Sequence, residues 1–296
     1  MIDESKRGAL CAILAFTLWG LFPLYFIELS TIPALEMASH RVLWVVICLI
    51  PVIGVLGLKK KKWPIVVSRS GLKLIMLSSV LLALNWVLFI WTISNGYVLQ
   101  SSLAYYINPL VNVILGVSVL GERLRLTQWI CVGLAASGVV IMTIVLGNIP
   151  WLAIALAVTF ALYGLLRKQA SIEAVEGLFI ESLLILPLAI CCFGWLFINQ
   201  SLTVFLSSGN LIYLVALSGV ITAVPLSLFA AGARRLPLSA LGFFQYIVPT
   251  GHFILAVFVF REIFTLWHFM SFLCIWVALA LFSADAFIAH KRHAMR

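Results

Sequence analysis

Charged residues are scarce in this chain. Only 10% of its 296 residues are Asp, Glu, Lys or Arg, whereas 64% are hydrophobic, and the mean hydropathy is +1.18. Soluble globular domains are nearer to half apolar and a quarter charged. A membrane-spanning helix needs about 20 mostly apolar residues, so ten spans would use roughly 200 residues. The composition therefore excludes an ordinary soluble domain and predicts an integral membrane protein.

Catalytic and metal-binding motifs are also missing. The sequence has no HExxH, no GxSxG, no glycine-rich phosphate loop and no acidic cluster with metal-ligand spacing. Its six cysteines lie in hydrophobic runs without CxxC spacing, so neither a zinc site nor a disulfide framework is predicted. We therefore expect no metal, no cofactor and no enzymatic activity, with an intramembrane hydrolase kept as an alternative. Primary active transport would need a separate ATP-binding subunit.

The net charge of +9 raises the question of a nucleic-acid partner. The run Lys59 to Lys62 would resemble a localisation signal in a soluble protein. Here it separates two hydrophobic segments, which favours a cytoplasmic loop beside the membrane. The expected partners are the lipid bilayer and a small-molecule substrate, not a nucleic acid, and a second copy of the chain is a candidate as a homodimer.

The apolar runs predict ten spans. With the N-terminus inside, all but two of the 19 Lys and Arg residues fall on the cytoplasmic side, and the exceptions are Arg41 and Arg261. This asymmetry follows the positive-inside rule. The run from Ala9 to Ile27 is too long for a signal-peptide core, so we interpret it as a retained first span. We predict a multi-pass protein of the bacterial inner membrane with both termini in the cytoplasm. The spans cover residues 9–27, 36–57, 72–94, 99–120, 127–146, 150–167, 177–198, 211–233, 239–260 and 266–288.

One phrase occurs twice in the chain. YINPLVNVILGVSVLGE at 106–122 and YIVPTGHFILAVFVFRE at 246–262 share a tyrosine, a proline and a glutamate at a shift of 140 residues. Five spans is an odd number, so the second half would enter the membrane from the opposite side. We therefore predict an all-α membrane protein whose ten helices form two inverted five-helix repeats, residues 1–147 and 148–296. Many secondary transporters, and some channels, have this architecture. Looser matches pair Trp19 with Tyr163 and Glu36 with Glu181.

Span four carries a polar stripe. Tyr105, Asn108 and Asn112 share one helical face, and the corresponding face of span nine carries Gln245 and His252. Hydrogen-bonding side chains are costly against lipid, which predicts that both faces point into the bundle or a wet cavity. Under the alternative, these amides only join packed helices. The prolines Pro109 and Pro249 are expected to bend the two helices, because proline removes a backbone hydrogen bond.

A few charged or titratable groups fall at membrane depth. Glu36 and His40 stack on one face of span two, with Arg41 beside them, and Glu181 lies one turn inside span seven. Histidine and a desolvated glutamate can titrate near neutral pH, so Glu181, His40 and Glu36 are candidates for proton coupling. The alternative is interfacial: Glu36 and Arg41 would meet water or form an ion pair.

Aromatic residues complete the predicted cavity. Trp19 and Tyr163, which are repeat counterparts, each precede a glycine that permits close helix approach. Aromatic walls with a few amides would suit a small amphiphilic organic solute better than a naked ion. The residues predicted to line the cavity are Trp19, Asn85, Tyr105, Asn108, Asn112, Tyr163, Gln245 and His252.

Several longer motifs resemble a known family. They are WGLFPLYF at Trp19, HRVLW at His40, NWVLFIW at Asn85, SLAYYINPLVN at Ser102, LGERL at Leu120, YGLLRK at Tyr163, LGFFQYIVPT at Leu241 and FLCIWVALALF at Phe272. Over nearly its whole length the chain resembles the EamA-type drug/metabolite transporters, in particular the RarD branch, which is often called chloramphenicol-sensitive protein. Ala104 stands where relatives usually carry glycine. The resemblance implies an inner-membrane permease that exports small metabolites or drugs, and it assigns no substrate-binding residue.

The working hypothesis is a secondary transporter that moves a small organic solute by alternating access, with proton-coupled export as one form. The two halves would rock about a site lined by spans three, four, eight and nine. A passive channel or uniporter and a non-transporting membrane scaffold are the alternatives.

Overall fold

The computed structural model describes residues 4–60, 69–95, 97–199, 201–204, 210–259, 261 and 265–294. Within these ranges the secondary structure is helical, without a strand. The helices are α1 (Glu4–Gly20), α2 (Phe22–Ile27), α3 (Ala34–Lys60), α4 (Arg69–Ser94), α5 (Val98–Ser118), α6 (Leu126–Leu146), α7 (Trp151–Gln169), α8 (Ala174–Ile198), α9 (Asn210–Arg235), α10 (Leu238–Gln245), α11 (Ile247–Ile254) and α12 (Leu266–Ala294), with a π-helical turn at Leu255–Val259.

The helices agree with the predicted spans. Among the described residues, nine helical segments are long and apolar enough to cross a bilayer, and α5 contributes a shorter apolar segment, Leu103–Ser118. The ends differ from the prediction by a few residues: α6 begins one residue before predicted span five, and α9 is longer than span eight by one residue at its start and two at its end. The prediction of an all-helical membrane protein is confirmed. Glu262, the repeat counterpart of Glu122, lies outside the described residues.

Two of the spans are interrupted. The first divides at Leu21 into α1 and α2, and the ninth divides at Tyr246 into α10 and α11. Pro249 cannot donate a hydrogen bond to the carbonyl four residues earlier, at Gln245, and the helix divides beside that carbonyl. Pro109 behaves differently, because α5 runs through it without interruption. A break is therefore seen beside Pro249, and a bend of the continuous helix α5 at Pro109 stays a prediction.

The closest helix pairs join the first half of the chain to the second. α1 packs on α9, α4 on α7, α3 on α8, α5 on α7 and α10, and α6 on α12. Each of the two main apolar clusters contains residues from both halves of the chain. One contains Phe16 of α1 and Phe229 of α9, and the other contains Tyr106 of α5 and Tyr246. The halves are therefore interlocked and share a common core.

Charged contacts gather at one end of the bundle. Glu4, at the start of α1, bonds Arg235, at the end of α9, with 2.9 Å between Oε2 and Nε. Three residues further along the chain, the amide of Leu238 donates to the carboxylate of Glu122 at 2.5 Å. Downstream of Glu122, Arg125 forms an ion pair of 2.5 Å with Asp285 of α12. The start of α1 and the later part of α12 therefore lie at the same end.

Candidate functional site

Three predicted cavity residues form a buried amide network. The amide nitrogen of Asn112 donates to Oδ1 of Asn108 at 3.0 Å and to Oε1 of Gln245 at 3.1 Å. The amide nitrogen of Asn108 donates to the carbonyl of Ala157 on α7 at 2.7 Å. All three amide side chains are at most 2% exposed. The network therefore joins α5 to α7 and α10, inside an otherwise apolar bundle.

One acceptor of this network has no donor. Oδ1 of Asn112 is buried and receives no hydrogen bond from any residue that the structure describes. A buried acceptor without a donor destabilises the protein by its desolvation penalty, about 1–3 kcal/mol, unless water or a ligand donates a hydrogen bond to it. A bound solute that donates a hydrogen bond to this atom would therefore gain more binding free energy than at any other position in the network.

Asn85, also predicted to line the cavity, contacts α7. Its amide nitrogen donates to the carbonyl of Leu156 at 2.9 Å and to the hydroxyl of Thr159 at 2.8 Å. Asn85 and Asn108 thus both donate to neighbouring groups of one helix. This is the arrangement expected if the amides join packed helices, so these two donors have a structural role whether or not a cavity lies beside them.

The repeat counterparts Trp19 and Tyr163 both pack against Phe160 and Phe229. The Trp19 ring lies 5.8 Å from Phe160 and 5.7 Å from Phe229, between centroids, while Tyr163 lies 5.7 Å and 6.1 Å from them. Aromatic pairs at such distances stabilise packing beyond their buried area. Tyr163 is completely buried. It therefore belongs to the core as well as to the predicted wall.

Tyr105 and His252 form a second contact between the halves. Their rings are nearly perpendicular, with centroids 5.5 Å apart, and Nε2 of His252 lies 3.2 Å from the carbonyl oxygen of Trp19. The approach depends on glycine, because a Cβ added to Gly251 would lie 2.9 Å from Cα of Gly20. The predicted close approach beside Trp19 is therefore present.

Glu181 is the centre of a buried charged cluster. Its carboxylate accepts a hydrogen bond from Ser78 of α4 at 2.5 Å and from the Tyr163 hydroxyl at 3.3 Å. Nε of Arg167 lies 3.6 Å from the same carboxylate, and both residues of this ion pair are 0% exposed. Arg167 also donates to the carbonyl of Ala174 at 3.0 Å.

The positive-inside pattern places Arg167 among the cytoplasmic basic residues and does not predict its burial. Arg167 lies in the last turn of α7, where basic residues usually reach water, but its side chain turns inward toward α8. Gly177 provides the space, because a Cβ there would lie 2.0 Å from Nη1 of Arg167. The sequence pattern that could have indicated this burial is Arg167 followed by Gly177 and Glu181 on the next helix. It can be recognised only once the pairing of α7 with α8 is known.

Glu36 and His40 form a separate group. The fully buried carboxylate of Glu36 accepts hydrogen bonds from the amide and hydroxyl of Thr203, at 2.9 and 2.7 Å, and from the amide of Val204 at 2.9 Å. Nε2 of His40 lies 3.8 Å from the Glu36 carboxylate, and its ring packs on Phe193. Glu36 therefore holds the segment after α8. The alternative pairing of Glu36 with Arg41 is not formed.

The predicted residues contact one another in separate groups, and a shared cavity wall stays a prediction. The amides of Asn108, Asn112 and Gln245 form one group, and Tyr105, His252 and Trp19 form another. Tyr163 connects the aromatic cluster to Glu181, whereas Glu36 and His40 lie in a group of their own. Among the described residues, no three His, Cys, Asp or Glu side chains are placed to hold a metal ion.

Comparison with known proteins identifies the family. Residues 6–144 match the model of the EamA-like transporter family. An uncharacterized transporter of Vibrio cholerae is 43% identical over 293 residues, covering 96% of this chain and 94% of that protein. Protein RarD of Salmonella typhimurium is 40% identical over 292 residues, covering 98% of each chain.

A solved structure has the same fold. One crystal structure superimposes with a TM-score of 0.74 at 17% identity, over 94% of this chain and 97% of the other. The relatives named as transporters and the apolar helices agree with a multi-pass membrane protein. The chain therefore belongs to the EamA-like transporter family, in its RarD branch.

Proposed function

We propose that this protein is a secondary transporter that moves a small organic metabolite or drug across the bacterial inner membrane by alternating access. Its relatives are named as transporters, which supports the general role and a non-enzymatic one. The observation that carries the proposal is the hydrogen bond between Asn112 and Gln245, 133 residues apart, in the buried interior of the bundle. It joins the first half of the chain to the second at membrane depth.

This contact has the chemistry that alternating access requires. A hydrogen bond between two neutral amides has a small net free energy, about 0.5–1.5 kcal/mol, because the partners also bond to water. Opening the halves would replace the bond between Asn112 and Gln245 by bonds to water or solute. The acceptor of Asn112 without a donor adds a group for which a solute can compete.

Paired contacts support the inverted repeat. The shift of 140 residues turns Asn112 into His252 and Tyr105 into Gln245, so it exchanges the Asn112–Gln245 contact with the Tyr105–His252 contact. In the same way it exchanges the packing of α1 on α9 with that of α7 on α4. A two-fold axis between two inverted halves produces such exchanged pairs.

The charged end of the bundle supports the proposed orientation. Arg125, Arg234 and Arg235 lie at the end that holds the start of α1. Because cytoplasmic loops carry an excess of Lys and Arg, we assign this end and both termini to the cytoplasm. A homodimer stays a prediction.

Glu181 is the proposed proton-coupling group. Its carboxylate faces Arg167, Ser78 and Tyr163, which lie on α7 and α4. Protonation of Glu181 would leave Arg167 without a counter-charge, so a bound proton would change the packing of α4, α7 and α8. Because α4 belongs to the first half and α7 and α8 belong to the second, binding of a proton would be coupled to the relative position of the two halves.

Reconstitution tests the function. Purified protein in liposomes is expected to accumulate radiolabelled amino acids or chloramphenicol with saturation, and to respond to a pH gradient. A channel would show neither saturation nor pH dependence, and a scaffold would show no flux above empty liposomes. An Asn112→Leu, Gln245→Leu double variant should lose flux, whereas Asn199→Leu, an exposed amide that bonds only its own helix, should retain it.

A further inference from the structure

Arg41 is a cation inside the bundle without a carboxylate partner. It lies on α3, seven residues or about two turns after Ala34, within a segment long enough to span the membrane. Its Nε donates to the hydroxyl of Thr222 on α9 at 3.1 Å. Among the residues that the structure describes, no Asp or Glu lies within ion-pair distance of Arg41.

Arg167, which is fully buried, differs in this respect from the half-buried Arg41. Arg167 is matched by the carboxylate of Glu181. In place of a carboxylate, Arg41 has aromatic rings: Cζ lies 5.2 Å from the ring of Trp86 and 5.6 Å from that of Phe26. Rings at this distance stabilise a cation, but they accept no conventional hydrogen bond from its N–H groups. A guanidinium has five N–H donors, and only one is used within the described structure.

The position is open to a functional explanation because packing does not demand an arginine there. The shift of 145 residues that aligns Glu36 with Glu181 places Leu186 opposite Arg41. The corresponding helix of the second half therefore accepts an aliphatic side chain. An arginine within a membrane span is costly and usually pairs with another charge or with backbone carbonyls, so one without a counter-charge points to a ligand.

Arg41 is also adjacent to the predicted cavity. The Trp86 ring, 5.2 Å from Cζ of Arg41, packs against the same apolar cluster as Trp19 and Tyr105. Tyr105 packs on His252, which lies against the carbonyl of Trp19. Arg41 is therefore connected through Trp86 to the aromatic group that joins the two halves.

We propose that Arg41 is the anion-recognition residue of the transport site, and that the substrates are small aromatic or amphiphilic carboxylates. This inference rests on the proposed function. The planar guanidinium can donate two parallel hydrogen bonds to a carboxylate, a geometry that an ammonium group does not offer. Trp86 and Phe26 would contact the apolar part of the substrate while Arg41 holds its charge.

A matched acid and amide test the site. Phenylacetate and phenylacetamide share a ring and differ in charge, and calorimetric titration of the protein in phosphatidylcholine nanodiscs compares their affinities. Phenylacetate is expected to bind on the order of tenfold more tightly than the amide, since a hydrogen bond to a charged group is stronger than one between neutral groups. Arg41→Gln should remove this preference and Arg41→Lys should keep part of it, whereas Arg261→Gln, an exposed arginine, should leave it unchanged.

Several results would overturn the inference. These are equal affinity for the acid and the amide, no binding of the acid to the wild-type protein, and an Arg41→Gln variant that keeps the preference for the acid. Loss of phenylacetate binding in phosphatidylglycerol nanodiscs, together with co-purification of this lipid that Arg41→Gln abolishes, would assign Arg41 to a lipid headgroup instead. The acid and amide comparison needs no variant, so it stands even where Arg41→Gln does not fold.

The anion site and the transport function can be tested separately. If phenylacetate binds through Arg41 but proteoliposomes transport nothing, the transport function is wrong and the anion site stands. If amino acids or chloramphenicol are transported with saturation while phenylacetate does not bind, the anion site is wrong and the transport function stands.

Discussion

Arg167 of α7 and Glu181 of α8 form an ion pair that is completely buried, with 3.6 Å between Nε and the carboxylate. The sequence separates them by a loop and two helix ends, and the fold brings them together beneath α4. Breaking a buried ion pair by removing one charge is much more costly than replacing both, because the remaining charge is left without a partner. This asymmetry makes the pair testable by stability as well as by transport.

Glu181→Gln is expected to destabilise the protein strongly, by about 3–5 kcal/mol, whereas an Arg167→Met, Glu181→Leu double variant should recover much of the loss. Thermal unfolding in detergent compares the variants. In proteoliposomes, Glu181→Gln should also abolish accumulation driven by a pH gradient.

Glu173→Gln is the matched control, because Glu173 is an exposed carboxylate that pairs with Arg234 at the surface. Its effect on stability should be less than about 1 kcal/mol. If Glu181→Gln keeps its pH-driven accumulation, Glu181 is not the coupling group.

Gly177→Ala should destabilise the same cluster without removing a charge. The added Cβ would lie 2.0 Å from Nη1 of Arg167, so the guanidinium would have to move away from Glu181. Overpacking of this kind costs about 1–3 kcal/mol. Gly194→Ala, on the same helix, is the control, since its Cβ would meet nothing within 4 Å. Equal melting temperatures for the two variants would contradict the described position of Arg167.

The sequence predicted the helices well and the contacts of charged residues poorly, for a physical reason. Apolar runs are set by the thickness of the bilayer, so the predicted span 127–146 differs from α6 by one residue. The inward turn of Arg167 depends on Gly177 and Glu181 of the next helix. The carboxylate of Glu36 is satisfied by backbone amides at 203 and 204, which no pattern of side chains could indicate.

The candidate site was predicted in part for a similar reason. The helical spacing of Asn108 and Asn112 places them on one face, and the structure joins them by a hydrogen bond. The partner Gln245 followed from the repeat, which needs only the sequence. The hydrogen bonds from Asn108 and Asn85 to α7 could not be predicted, because their acceptors are backbone carbonyls, which every residue type has.

Glu36 is expected to act on structure rather than on proton coupling. Glu36→Ala should destabilise the protein by about 2–4 kcal/mol, because it leaves the buried amides of Thr203 and Val204 without an acceptor. Any transport that remains should keep its pH dependence. Glu28→Ala, at an exposed position near the same end of the chain, should change the melting temperature little. Loss of pH dependence with unchanged stability would reverse the roles assigned to Glu36 and Glu181.

Glu122 is expected to fix the start of α10. Its carboxylate accepts hydrogen bonds from the amides of Leu238 and Ser239, at 2.5 and 3.0 Å, and from the Ser239 hydroxyl at 2.6 Å. Removing a group that caps a helix N-terminus costs about 0.5–2 kcal/mol. Glu122→Ala should therefore lower the melting temperature, and Glu122→Gln less so. The exposed Ser118→Ala is a nearby control; an equal shift would exclude the cap.

The last prediction separates a transport cavity from simple packing at Asn112 and Gln245. If the two amides only join helices, replacing both by leucine should lower stability and flux together. If they face a solute pathway, the double variant should lose saturable flux at temperatures where it is still folded, although Oδ1 of Asn108 has lost its donor. Asn112→Leu alone should be less stable than the double variant, since it leaves the buried oxygens of both Asn108 and Gln245 without their donor. Melting temperature and flux measured on the four proteins decide the matter: retained flux in a stable double variant would remove these residues from the transport site.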